Sequence, residues 1–189
     1  MHDLGSALLT IARSAIAEAF GLPNLDEAGH AALAQPGATF VTLKRRGQLR
    51  GCIGSLRPVR PLGVDVRQNA IGAAFRDPRF PPLALAEFEK VLVEVSLLSA
   101  DERIDVVDEN DLLARLRPGV DGLILEYGRQ RATFLPQVWD SLPDPRHFLT
   151  ALKLKAGLPE DFWNAQMNVA RYSVTKWSQS EFIETELQQ

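Results

Sequence analysis

The 189-residue chain has a single cysteine, only three histidines, almost no net charge (−3) and no long apolar run. A lone cysteine can neither close an internal disulfide nor build a multi-cysteine zinc site, which excludes a disulfide-stapled secreted scaffold. No apolar segment approaches the roughly 20 residues needed to cross a bilayer. The N-terminal stretch lacks a basic leader, and Arg13 interrupts its only apolar segment, so a cytoplasmic protein without membrane association is expected. His2, His30 and His147 are scattered without ligand spacing, so no metal site is expected. Gly51-Cys52-Ile53-Gly54 has neither the P-loop lysine nor the dinucleotide-binding spacing, and no cofactor is expected.

What is present is an uneven distribution of charge. Between Val41 and Phe80 stand nine bases (Lys44, Arg45, Arg46, Arg50, Arg57, Arg60, Arg67, Arg76 and Arg79) against only Asp65 and Asp77. This block therefore carries seven excess positive charges, and the rest of the chain ten negative ones. The balance speaks against a general nucleic-acid binder but allows one anion-attracting face. Nucleic acid is the weaker reading also because no exposed aromatics interleave with the bases.

Apolar periodicity predicts a helix through Leu4, Leu8, Ile11 and Ala15, capped by Asp3 and stopped at Gly21 and Pro23. Residues Asn24 to Gly37 read as a loop with a short helix. A hairpin follows, with strands Thr39–Lys44 and Gln48–Ser55 around Arg46-Gly47. Leu62 to Arg76 is helical, and Pro78 ends it near Asp77. Three prolines leave Asp77–Leu83 irregular, Ala84–Lys90 adds a helical turn or two, and Val91–Ser99 reads as a buried strand. Asp101–Asp111, with six acids and one base, reads as a solvated linker whose Asp108 caps a short helix through Leu116. A second hairpin comprises Asp121–Tyr127 and Gln130–Leu135 around Gly128-Arg129. Pro136 starts a short helix, Arg146–Lys155 forms a longer one ended by Gly157, and Asn168–Gln179 alternates as a final strand.

The two hairpins correspond. Counted from Gly47 and Gly128, Arg50 matches Arg131, Gly51 matches Ala132, and Cys52 matches Thr133. Both lead into a proline-initiated helix. An internal duplication of a strand–strand–helix unit is one explanation, and the general likeness of any two hairpins is the other.

The most informative segment is Leu49-Arg50-Gly51-Cys52-Ile53-Gly54. Alternation places Arg50, Cys52 and Gly54 on one strand face, with Leu49, Gly51 and Ile53 on the other. Two glycines weaken a strand and leave room for something to approach the backbone and the thiol. Arg50 would favour the thiolate, although a small buried hydrophobe is an equally ordinary fate for a free cysteine. Asp77-Pro78-Arg79-Phe80 is the second candidate, either as part of an arginine-lined site or as a loop held by Phe80 and an ordinary ion pair.

The runs Leu49–Gly54, Asp77–Leu83, Val95–Leu98, Gly119–Leu125 and Ala132–Trp139, with Lys155-Ala156-Gly157 and Arg171-Tyr172, resemble the AMMECR-type domain family. Its prokaryotic members are called protein A of the AmmeMemoRadiSam system. One departure is Ser55, where relatives often carry threonine. The resemblance spans nearly the whole chain. It implies an α+β fold in a single domain of two intimately packed, unequal lobes, with antiparallel or mixed sheets, flanking helices and internal repetition. It also implies a cleft near the Arg-Gly-Cys segment, and pathway partners in a Memo-like protein and a radical S-adenosylmethionine enzyme. It names no reaction.

Two functions of different class follow. In the first, a binding or accessory module, Arg50, Arg79 and Arg131 hold a small anion or a peptide carboxylate, with Gly51, Cys52 and Gly54 shaping the floor. In the second, Cys52 is the nucleophile of an enzyme, Arg50 activates it, and Asp77 or His147 handles protons. The sequence leaves open whether any reaction is catalysed.

Overall fold

The computed structural model describes residues 3–23 and 29–179. His2 and part of the loop expected after Pro23 lie outside the described residues. The elements in chain order are α1 (Leu4–Ala19), β1 (Pro36–Gly37), β2 (Thr39–Arg45), β3 (Gln48–Gly54), β4 (Arg60–Pro61), α2 (Leu62–Phe75), α3 (Leu85–Phe88) and β5 (Leu92–Leu98). They continue with β6 (Glu102–Arg103), α4 (Glu109–Arg115), β7 (Gly122–Tyr127), β8 (Gln130–Phe134), α5 (Pro145–Lys155), β9 (Asn168–Tyr172) and β10 (Val174–Ser178). Short 3₁₀ turns cover Ala31–Ala34 and Pro136–Asp140. The fold is α+β, in two compact units. One comprises residues through Leu98 and from Thr175 onward, the other Ser99–Val174.

The first unit is a sheet of order β10-β5-β2-β3 with α1 and α2 on one face. Alternation explains the choice of face: Val41 and Leu43 on β2 sit opposite Val95 and Val93 on β5, and all four are buried. They meet Leu8 and Ile16 from α1 and Val66 from α2. Each such side chain contributes about 1.5–3 kcal/mol through burial. Helix α2 comes unusually close to β3. A Cβ at Gly51 would overlap the Ala73 carbonyl oxygen, and one at Gly72 would stand 2.9 Å from Ile53 Cγ2. Glycine is required at 51 because helix backbone occupies the place of a side chain.

The second unit has a sheet of order β6-β9-β7-β8. Leu123 and Leu125 on β7 and Val169 on β9 pack with Phe148, Leu149 and Leu152 of α5. Trp139 stacks on Phe148 with centroids 3.7 Å apart and donates its indole N–H to the Asp121 carbonyl. Asp108 caps α4 through the Asp111 N–H, as its sequence position suggests. Lys153 is fully buried in this core. Its ammonium donates to Glu109 Oε2 (2.7 Å) and to the Glu160 carbonyl.

Both units repeat one connection: the first hairpin strand lies between its partner and a later antiparallel strand. Gly51 stands opposite Leu43, and Ala132 opposite Leu125. The turns are offset by one residue, since Gly47 is the second turn residue and Gly128 the first. A bulge at Leu49–Arg50 in β3 absorbs that offset and restores the correspondence of Gly51 with Ala132.

Two local expectations change, and the expected turn at Arg46-Gly47 has an unusual backbone. The final run is two strands, not one, because the Ser173 carbonyl accepts the Ser99 N–H while its own N–H goes to the Ser99 hydroxyl, which breaks the ladder between β9 and β10. Asp3 occupies the N-cap of α1 but gives it a backbone carbonyl rather than a side-chain bond. Arg46 and Gly47 both take positive φ (52° and 76°), so the first hairpin turn places a non-glycine residue in the left-handed region.

Two stability measurements follow from this packing. Gly51→Ala should lower the unfolding free energy by about 1–3 kcal/mol, because the helix backbone cannot yield cheaply. Ser14→Ala should raise it by about 1 kcal/mol, since the buried Ser14 hydroxyl has no hydrogen-bond partner. Urea denaturation of the two variants checks both signs.

Candidate functional site

The residues after α2 return to the edge of β3. Asp77, just beyond the helix end, is 4% exposed and accepts the backbone N–H of Cys52 at 2.8 Å. The same carboxylate takes the Arg79 backbone N–H (3.0 Å), its Nε (2.9 Å) and its Nη2 (2.7 Å). Arg79 Nη2 also donates to the Cys52 carbonyl at 3.2 Å. The Asp77–Arg79 pair thus serves both outward backbone groups of Cys52, as a neighbouring strand would. These bonds hold the Asp77 carboxyl far below the usual carboxylate range, its hydrogen bond from the Arg79 side chain first among them. The Arg79 guanidinium is raised in turn, foremost by Asp77, with smaller contributions from the Cys52 side chain.

Cys52 lies opposite Thr42 on β2, and the Thr42 hydroxyl donates to Sγ at 3.4 Å. The thiol is partly exposed. The cation it meets is Arg79, whereas Arg50 is committed elsewhere. As the extra residue of the bulge, Arg50 escapes strict alternation and turns to Glu87 on α3. It donates to that carboxylate from Nε (3.2 Å) and Nη2 (2.9 Å). Arg45 and the Ala84 N–H complete the coordination of Glu87. Hydrogen bonds from Arg50, then from Ala84, lower the Glu87 pKa from 4.5 to about 2.

Arg50 and Arg79 are held in the same manner, each by a carboxylate that takes Nε and Nη2. Their guanidinium carbons lie 5.9 and 5.6 Å from the centroid of the Phe80 ring. Arg50 has a side chain 11% exposed, and its Nη1 is enclosed with no hydrogen-bond partner. The Arg79 side chain is 54% exposed.

The remaining sequence-predicted residues fall differently. The space at Gly51 is filled by the Ala73 carbonyl, and that at Gly54 by the ring of Phe40, so neither glycine leaves room for a ligand. Arg131 belongs to the second unit and pairs with Glu126. Glu126, with Asp101, Arg103, Ile124 and Asn168, lines a cavity of about 170 Å³ in that unit. His147 follows Asp144 at the start of α5 with its ring largely exposed, and His30 Nδ1 accepts the Ala32 N–H. The basic block is extensively paired. Lys44 meets Glu94, Arg45 and Arg50 share Glu87, Arg60 meets Asp65, and Arg67 meets Glu18.

Sequence reasoning missed a buried polar cluster beside this edge. Asp65 Oδ2 accepts the Thr39 N–H (2.8 Å), the Thr39 hydroxyl (2.7 Å) and Asn69 Nδ2 (2.9 Å), while Oδ1 takes Arg60 Nε (2.8 Å). Arg60 also reaches the Ser55 hydroxyl at 2.7 Å, which gives the hydroxyl at 55 a structural use. The available signal was an i, i+4 pair, Asp65 and Asn69, beside the apolar stripe of α2.

A model of the AMMECR1 family matches residues 9–177. A protein of Sulfolobus acidocaldarius is 40% identical over 90% of this chain and 79% of its own. One from Methanothermobacter thermautotrophicus is 42% identical over 90% and 92%. The crystal structure of uncharacterized protein PH0010 from Pyrococcus horikoshii, 34% identical, superposes with a TM-score of 0.76 over 92% of this chain and 90% of that one. No helix among the described residues is long and apolar enough to cross a membrane.

Glu87 ionises more readily in the folded chain than in the unfolded one, so its contribution to stability is complete above pH 4.5. That contribution fades as pH falls through about 2. Glu87→Gln should flatten this limb of the stability profile, read from urea midpoints between pH 5 and roughly pH 2.

Proposed function

The chain belongs to the AMMECR1 family, and from that premise we propose that it is a binding or accessory module. Its first unit takes an anionic group, from a small molecule or a peptide, at Arg50 and Arg79. The observation that carries this reading is the enclosed Nη1 of Arg50, a charged donor without an acceptor. An unmade bond of this kind costs about 1–3 kcal/mol or more, and an oxygen anion that reaches Nη1 once the Arg50 side chain is uncovered would relieve it. Arg79 supports the same reading, because Asp77 takes its Nε and Nη2 and leaves Nη1 for an incoming oxygen.

Both guanidinium groups are pre-organised, so little side-chain entropy is lost when an anion arrives. Asp77 acts here as the positioning residue of Arg79. Arg79 also holds the Cys52 carbonyl, and the Cys52 thiol takes the Thr42 hydroxyl. The nucleophile reading gains less, since the hydrogen bond at the thiol comes from the Thr42 hydroxyl, which is not a general base. Arg131 is not part of the proposed site, its charge being matched by Glu126.

Titration of ¹⁵N-labelled protein with inorganic phosphate and with acetate, at constant ionic strength, tests this reading through the Nε–Hε signals of Arg50 and Arg79. Saturable shifts at both are expected. Arg79→Gln should weaken binding at least about tenfold, the worth of one charge-assisted hydrogen bond. Shifts that never saturate, or affinity unchanged in Arg79→Gln, would overturn the proposal.

A further inference from the structure

Glu87 already gives Arg50 what an acidic ligand would give it. Its carboxylate accepts from Arg50 Nε and Nη2, from Arg45 Nη1 at 2.9 Å and from the Ala84 N–H at 3.2 Å. Four donors on one carboxylate form a complete anion receptor, two of its members being cations. The occupant happens to be a side chain of the same protein.

The segment that delivers Glu87 is short and separately anchored. Helix α3 has four residues and follows Pro81 and Pro82. Phe88 is buried, with Phe20 5.7 Å away and the Arg13 guanidinium 4.1 Å over its ring. Upstream, the Leu83 N–H bonds the Ala74 carbonyl at 2.7 Å. These contacts hold both ends of the segment without Glu87. The carboxylate can therefore leave its four donors by a side-chain rotation, while α3 stays docked.

We propose that Glu87 is an internal competitor for the anion site: an incoming carboxylate or phosphate displaces it from Arg45 and Arg50, and its presence sets the affinity. This rests on the anion-binding reading above and specifies how that site is regulated. The displaced carboxylate turns to solvent, and the two arginines exchange one anionic partner for another. Selectivity follows from the exchange. A weakly basic, singly bonded anion cannot match a carboxylate held by four donors, whereas a group offering two or more oxygens to the arginine fork can.

The same phosphate and acetate titrations, run on wild type, Glu87→Ala and Glu87→Gln, test the proposal. Glu87→Gln keeps the side-chain volume, so it reads the loss of charge even where Glu87→Ala unfolds. Removal of the competitor should tighten binding at least about tenfold in both variants. In wild type the backbone amides of Leu85–Phe88 should shift with the same midpoint as Arg50 Nε–Hε. Equal or weaker binding in the variants, with wild type still saturable, would show that Glu87 only positions Arg50, and the competitor role would fall while the anion site stood. Absence of saturable binding in all three proteins would remove the anion site itself.

Discussion

The closeness of α2 to β3 is the constraint on which the first unit depends. Helix and strand touch backbone to backbone where Gly51 meets the Ala73 carbonyl, and the contact extends through Gly72 and Ile53. A helix seated so tightly ends close to the strand edge. The next residue beyond its C-cap, Asp77, therefore reaches the Cys52 N–H, and Arg79 two residues later reaches the Cys52 carbonyl. The proline-rich segment then sets Phe80 against the guanidinium groups of Arg50 and Arg79. A single missing side chain thereby organises the whole edge.

This geometry also accounts for the apparent charge excess. Counted along the chain, the block from Val41 to Phe80 has nine bases and two acids. Counted in space, Glu18, Glu87 and Glu94 come in from outside the block and join Asp65 and Asp77. What survives is not a broad positive face. It is a small number of guanidinium edges held in fixed directions by carboxylates. Directed donors of this sort suit recognition of one group better than they suit long-range attraction.

Much of this was legible in the sequence, for reasons that differ by residue. Alternation of Val91, Val93, Val95 and Leu97 against polar neighbours identified β5, and Pro78 located the end of α2. Glycine at 51 and 54 announced a close approach. Its agents, a helix carbonyl and the Phe40 ring, come from other elements and could not be read from strand periodicity. The turn of Arg50 toward Glu87 is not legible, because a bulge is a one-residue departure from a period of two and no composition rule marks it. The Asp65 cluster went unread because its partners Thr39 and Ser55 lie on different elements, and the Glu87–Arg50 pair because 37 residues separate its members. The second hairpin was easier. Its resemblance to the first survives in the pairing of Ala132 with Leu125, despite turns of different construction.

The split of the last strand run at Ser173 has a temporal consequence. The second unit is continuous in the chain, from Ser99 to Val174, so its fold closes without any residue from outside that segment. The sheet of the first unit gains its β10 edge only afterwards, and Trp177 takes its seat against Gly5 at the start of α1 only then. During synthesis the N-terminal core must therefore wait, with one margin of β5 open, for a strand some 75 residues downstream. The protein begins its first sheet early and finishes it last.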